Sequence, residues 1–132
     1  MTCAIIAESL VNMGLINEYE PPYNQIKEKL RDTIWGLYCE GYNEFWVNCE
    51  YGVPLWAAEI IIALKMYNDI KLHIAMPYEE QATKWAEDYR DRFFTVHENA
   101  DTVKIISTHY TEDCYEKAER YMIDASDKCE YI

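Results

Sequence analysis

Two side chains in this sequence stand where a nucleophile would: Ser9 and Cys49, each near the end of an apolar stretch. A nucleophile needs a base within reach, and the histidines available are His73 and His109 on neighbouring elements. The pattern does not assemble. No GxSxG elbow occurs, and His73 falls inside a strand-like run, where a packed or hydrogen-bonded imidazole is the better reading. Metal chemistry has no better basis. The five cysteines (Cys3, Cys39, Cys49, Cys114, Cys129) show no CxxC spacing, and the three histidines form no HExxH pair. They read as free, mostly buried thiols of a reducing cytosol. Asp124 and Asp127, three residues apart at a helix end, fit a solvated face and a cap better than a catalytic pair. Glu79-Glu80 reads as the acidic opening of a helix, compensating its dipole. The expectation is a chain that is not an enzyme and needs no metal or cofactor.

The elements that would position these groups alternate. Thr2–Ala7 is a short apolar strand. After Pro21-Pro22, residues Asn24–Glu40 carry a helical stripe at Ile26, Leu30, Ile34 and Leu37, ended by Gly41. Glu44–Cys49 is strand-like, and Leu55–Met66 is a helix apolar nearly all round. Ile70–Met76 is a strand, followed by a helix marked by Trp85, Tyr89, Phe93 and Val96. Thr102–Ser107 is the fourth strand, and Thr111 caps a helix running to Ser126, with Glu112 and Asp113 at its positive end. Cys129–Ile132 begins a fifth strand. Five alternations in 132 residues imply one domain over residues 1–132. Its class is α/β: a Rossmann-like three-layer domain with a mostly parallel sheet of about five strands. Ligands bind such sheets beyond the carboxyl ends of the strands, here Ala7-Glu8-Ser9, Asn48–Gly52, Met76–Glu79 and Ser107–Tyr110.

Charge narrows the partners. Against 24 acidic side chains stand 12 basic ones, a net charge of -12 at pH 7. Such a chain repels phosphate backbones, which excludes direct DNA or RNA binding as a natural function. It is attracted to basic protein surfaces, including the groove of a nucleic-acid enzyme, although acidity also serves plain solubility. Residues 1–66 hold 9 acidic and 4 basic side chains and residues 67–132 hold 15 and 8, so no acidic tail stands apart. Twelve tyrosines and four tryptophans add contact chemistry. Tyr19, Tyr23, Tyr51, Tyr78 and Tyr110 fall in loops or at element ends. Trp35, Trp56, Trp85 and Phe93 lie on apolar helix faces and are expected in the core. The most apolar run, Val53–Leu64, contains Glu59 and falls short of the ~20 residues a bilayer requires. The first residues lack the basic flank of a signal peptide. A soluble, cytoplasmic protein is expected.

At Gly52-Val53-Pro54-Leu55-Trp56-Ala57-Ala58-Glu59 the sequence resembles a known family. With Glu40-Gly41-Tyr42 before it and Glu119–Asp127 after it, the chain is similar to the YpsA-like proteins of the SLOG superfamily. That resemblance implies a Rossmann-like domain that binds nucleotides or nucleotide-derived ligands. The departures cluster where phosphate would be held. The family's Thr-Gly-His-Arg-Pro after the first strand is matched by Ile6, Ala7, Glu8, Ser9 and Leu10, so its arginine becomes Ser9 and Glu8 adds a negative charge. In its Ser-Gly-x-Ala-x-Gly-Val-Asp loop a glycine becomes Asn48, a small residue Glu50 and the aspartate Pro54. The family's glycine-rich phosphate loop lies beyond the fifth strand, past Ile132. Phosphate recognition needs converging N–H groups, small residues and usually a positive charge. Glu8, Glu50, Glu79, Tyr51 and Tyr78 offer the reverse.

Two functions follow. The first is a non-enzymatic interaction protein, carboxylates arrayed like phosphates against a basic partner. A phage- or mobile-element-encoded inhibitor, such as an anti-CRISPR or other anti-defence protein, would be one version. The second is a SLOG-like binder of a nucleotide-derived small ligand, one version of which has its site completed across a homodimer. The binding residues expected are Glu8, Ser9, Asn48, Glu50, Tyr51, Tyr78, Glu79, Tyr110, Glu112 and Asp113.

Overall fold

Strands and helices alternate through the computed structural model, which describes residues 1–7 and 21–132. In chain order they are β1 (Thr2–Ile6), α1 (Pro21–Cys39), β2 (Glu44–Val47), α2 (Val53–Lys65), β3 (Lys71–Met76), α3 (Glu87–Glu98), β4 (Thr102–Ile105), α4 (Cys114–Asp124) and β5 (Lys128–Tyr131). All four strand pairings are parallel, in the order β4-β3-β2-β1-β5. Right-handed crossovers explain the layers. The first three step in one direction across the sheet, so α1, α2 and α3 share a face with Cys3, Ile5, Phe45, Val47, Leu72 and Ile74. The crossover from β4 to β5 runs back over the sheet, so α4 packs Ala118 and Met122 on the other face, against Ala4, Trp46 and Ala75.

Local chemistry sets the boundaries. Leu30 and Ile34 are fully buried along the α1 stripe and Leu37 nearly so. Gly41, at φ 106°, then ends the helix: its N–H donates to Tyr38 O at 3.0 Å and that of Tyr42 to Leu37 O at 3.0 Å. These are the paired bonds of a Schellman stop, which a left-handed residue makes possible. Gly52 at φ 107° and ψ -130° caps α2, a conformation closed to residues with a Cβ. Behind it Val53–Ala58 are all buried.

Four details differ from the sequence expectation. Glu79-Glu80 do not open a helix: residues 79–84 form successive turns, with Gln81 N–H on Tyr78 O and Thr83 N–H on Glu80 O. The helix begins at Glu87, and Glu87 and Asp88 are the acids of its first turn. Thr111 is not the cap of α4, which starts at Cys114 after Asp113; the Thr111 hydroxyl donates to Asp113 Oδ1 at 2.9 Å instead. Tyr23 is a core residue, fully buried and set edge-on to Trp56 at 5.6 Å. Trp35, expected inside, is 43% exposed, stacked on Tyr38 one turn further along α1. No helix among the described residues is long and apolar enough to cross a membrane.

Candidate functional site

The loop that follows β2 is built around its own carboxylate. Asn48 Oδ1 accepts the Glu50 N–H at 3.0 Å, and the Asn48 carbonyl accepts from Gln81 Nε2 at 3.1 Å, tying this loop to the one after β3. Glu50 Oε1 in turn accepts the Tyr51 N–H at 2.7 Å. The Tyr115 hydroxyl, arriving from the first turn of α4, hydrogen-bonds the same carboxylate. Burial, and next the negative charge of Glu50, push the Tyr115 phenol far above its ordinary value, so it stays a neutral donor. The Tyr51 ring packs edge-on to Tyr89 at 4.5 Å and Trp85 at 5.8 Å.

This arrangement takes part of the donor set an anion would want. Helix N-termini bind anions through N–H groups that the helix itself leaves unpaired. At α2 the Leu55 N–H, which the helix leaves unpaired, donates to Glu50 O at 3.1 Å, while Pro54 has no N–H to give. A phosphate approaching here meets a carboxylate already seated on the loop.

Cys49 sits in the same loop at φ 56°, fully buried. Burial above all, then Glu59 and Glu50, push its thiol well above the usual cysteine range, which suppresses the thiolate a nucleophile needs. Neither histidine serves it. His73 Nε2 lies 2.8 Å from Glu44 Oε1 with its ring over Trp46 at 5.0 Å, the packed state expected of it. His109 Nδ1 lies 2.6 Å from Glu80 Oε1. The aspartates do not form a pair either: Asp127 Oδ2 accepts the Thr2 N–H at 2.8 Å, fixing the start of β1, and Asp124 is exposed. Among the described residues no group of three or more His, Cys, Asp or Glu is placed to hold a metal ion.

The loops after β3 and β4 form a different surface. The Glu79 N–H donates to Ser107 O at 3.0 Å, and the Tyr78 ring meets Tyr110 at 5.5 Å and Tyr115 at 6.3 Å. Glu79, Glu80, Glu112 and Asp113 are exposed on this rim, and Tyr110 is 61% exposed. Asp113 is held below its ordinary value by the Thr111 hydroxyl and by Lys117, whose Nζ lies 3.3 Å away.

The candidate residues thus divide. Asn48, Glu50 and Tyr51 come together, turned inward and mutually satisfied. Tyr78, Glu79, Tyr110, Glu112 and Asp113 share the outer rim. Glu8 and Ser9 lie outside the described residues. Sequence reasoning missed Gln81, 3% exposed, and Tyr115. Tyr115 precedes Ala118 and Met122 by three and seven, the spacing of one helix face, and that signal was available.

Comparison with known proteins agrees with the fold. The family model of the YspA SLOG family, YpsA, matches residues 8–132. The chain belongs to that family. A "UPF0398 protein" of Bacillus thuringiensis (strain Al Hakam) is 30% identical over 112 residues, covering 84% of this chain and 59% of the relative. A second, from Halalkalibacterium halodurans, is 32% identical over 96 residues, covering 72% of this chain and 51% of the relative. The chain therefore spans between half and three-fifths of the length of the curated relatives it matches.

Proposed function

We propose that this chain is a non-enzymatic interaction domain whose outer rim, Glu79, Glu80, Glu112 and Asp113 around Tyr78 and Tyr110, docks on a basic protein surface. The observation that carries the reading is the seated Glu50 carboxylate. It takes the loop N–H and opposes any phosphoryl group at the mouth of α2, so the family's expected ligand chemistry is disfavoured there. The exposed part of the strand-end surface is then acidic and tyrosine-bearing, with carboxylates to steer encounter and aromatic rings to bury area. A basic groove that normally holds nucleic acid is the complementary target, and blocking it is how an anti-defence inhibitor of phage or mobile-element origin would act. Cys3, Cys39, Cys49, Cys114 and Cys129 form no disulfide, which suits a cytoplasmic setting.

The test compares the wild type with the variant Glu79→Lys/Glu80→Lys/Glu112→Lys/Asp113→Lys in capture from host lysate at about 0.05 M and 0.5 M salt. Screening lengths fall from roughly 14 Å to 4 Å over that range. The wild type should retain a basic protein at low salt only, and the variant should retain none. Failure to capture a basic protein, together with thermal stabilisation by ATP or NAD, would establish the alternative of a nucleotide-derived ligand.

A further inference from the structure

We propose that β5 is a self-association edge: two copies of this chain pair their β5 strands antiparallel about a two-fold axis at Cys129, joining their sheets into one. Among the described residues β5 pairs only β1, so its far side is a sheet edge. Such an edge offers unpaired N–H and C=O groups to another chain. Which residues offer them follows from the ladder. The Ile132 N–H donates to Ile6 O at 2.9 Å, and backbone groups alternate in direction along a strand. Lys128, Glu130 and Ile132 therefore face β1, while Cys129 and Tyr131 turn their backbone groups outward.

The side chains specify a second copy as the partner. Register sets Lys128 beside Cys3 and Glu130 beside Ile5, so both charges stand on the α1 face of the sheet, on either side of Cys129. Two β5 strands running antiparallel, with Cys129 opposite Cys129, exchange both backbone bonds at that pair. Each Lys128 then lies directly across from Glu130 of the second copy, and the symmetry makes the contact twice, as an isologous interface does. Unlike charges directly opposed stabilise an antiparallel pair, and like charges destabilise it. A slip of one residue loses the match, so the charges also fix the register. Within one chain they are poorly used: Lys128 Nζ lies 3.9 Å from both Glu130 and Glu40, beyond hydrogen-bond distance, and 5.6 Å from the centroid of the Tyr42 ring. β4, the opposite edge, has Lys104 as its only charge and carries no such complement. No residue of β5 belongs to the acidic rim, so the inference stands apart from the docking of a basic partner.

Sedimentation equilibrium on the full chain decides it. The junction is short, so association should be weak: the mean mass should climb from 15.7 kDa toward twice that value between about 10 µM and 1 mM. Lys128→Glu sets carboxylates opposite one another and Glu130→Lys sets ammonium groups opposite one another; each should weaken association at least about tenfold. Mixed in equal amounts, the two variants should associate as the wild type does, because each supplies the charge the other lacks. The double reversal Lys128→Glu/Glu130→Lys should do so alone. By amide exchange, the Cys129 N–H should be protected in the dimer and lose that protection in the Lys128→Glu chain. Circular dichroism verifies that the variants fold. The four-lysine rim variant should self-associate at least as well as the wild type, so the two readings fail separately. A mass of 15.7 kDa throughout the concentration range overturns the proposal. So does a dimer indifferent to both reversals, which would place the interface elsewhere, or a mixture that associates no better than its components.

Discussion

The loop after β2 and the rim formed by the loops after β3 and β4 occupy the same end of the sheet, yet they spend their polar groups in opposite ways. Around Glu50, most donors and acceptors find one another: Tyr51, Asn48, Gln81 Nε2 and Tyr115 close the loop on itself, and Gln81 Oε1 is buried without a partner. On the rim, four carboxylates are exposed, and among the described residues only Glu80 and Asp113 meet an ion-pair partner, at 2.6 Å and 3.3 Å. A loop satisfied from within contributes to stability and presents little to a ligand. A rim that is charged and exposed contributes little to stability and is available to a partner. Mutation should separate the two.

The largest effect is expected where the inner loop rests on the core. Trp56→Ala removes a 2%-exposed indole and should lower unfolding free energy by about 3–5 kcal/mol, read by urea titration. Next is Glu50→Ala, which strands the Tyr51 N–H and the Tyr115 hydroxyl; a loss of about 1–3 kcal/mol is expected in the same assay. An unchanged midpoint would show that the loop is not held by its carboxylate.

Alkali should expose the same contact. The folded-state values of Tyr115 and Tyr78 are both raised, by burial first and the Glu50 charge next. The unfolded chain therefore loses these protons first, and stability should fall as pH rises past about 10. Tyr115→Phe should flatten that limb. On the acid side, burial lowers the His97 value while its Nδ1–H donates to Phe93 O at 2.7 Å. The unfolded imidazole takes up a proton first, so its contribution is present above about pH 6.5 and fades below it; His97→Gln should reduce that slope. The smallest effect belongs to the rim: Glu79→Lys/Glu112→Lys should move stability by no more than about 0.5 kcal/mol.

Much of this was legible in the residues. The α1 stripe, the Gly41 stop and the all-round apolar start of α2 announce themselves by periodicity and by the one residue that tolerates a left-handed turn. Five strands follow from β-branched runs between turn signals. What was not legible is tertiary. Glu79-Glu80 carry a plausible helix start in their charge, yet the chain turns there because Glu79 is drawn to Ser107 across the rim. Trp35 is the exception, since its exposure was legible: it lies three, four or seven residues from none of Ile26, Leu30, Ile34 and Leu37, and so stands off their stripe. The closure of the inner loop is tertiary, as at Glu79. Glu50 looked like a charge that repels phosphate, and only the approach of α4 shows that it is also a hydrogen-bonded structural member.

The position of β1 has a kinetic corollary. This strand precedes every other described element, yet it pairs β2 on one side and β5 on the other, and Asp127, just before β5, clasps Thr2 through two 2.8 Å bonds. The flank of β1 that pairs β5 therefore waits, unpaired, until β5 has emerged. Such distant, parallel contacts slow folding and lengthen exposure to aggregation, so the acidity of this chain also guards it while that flank remains open.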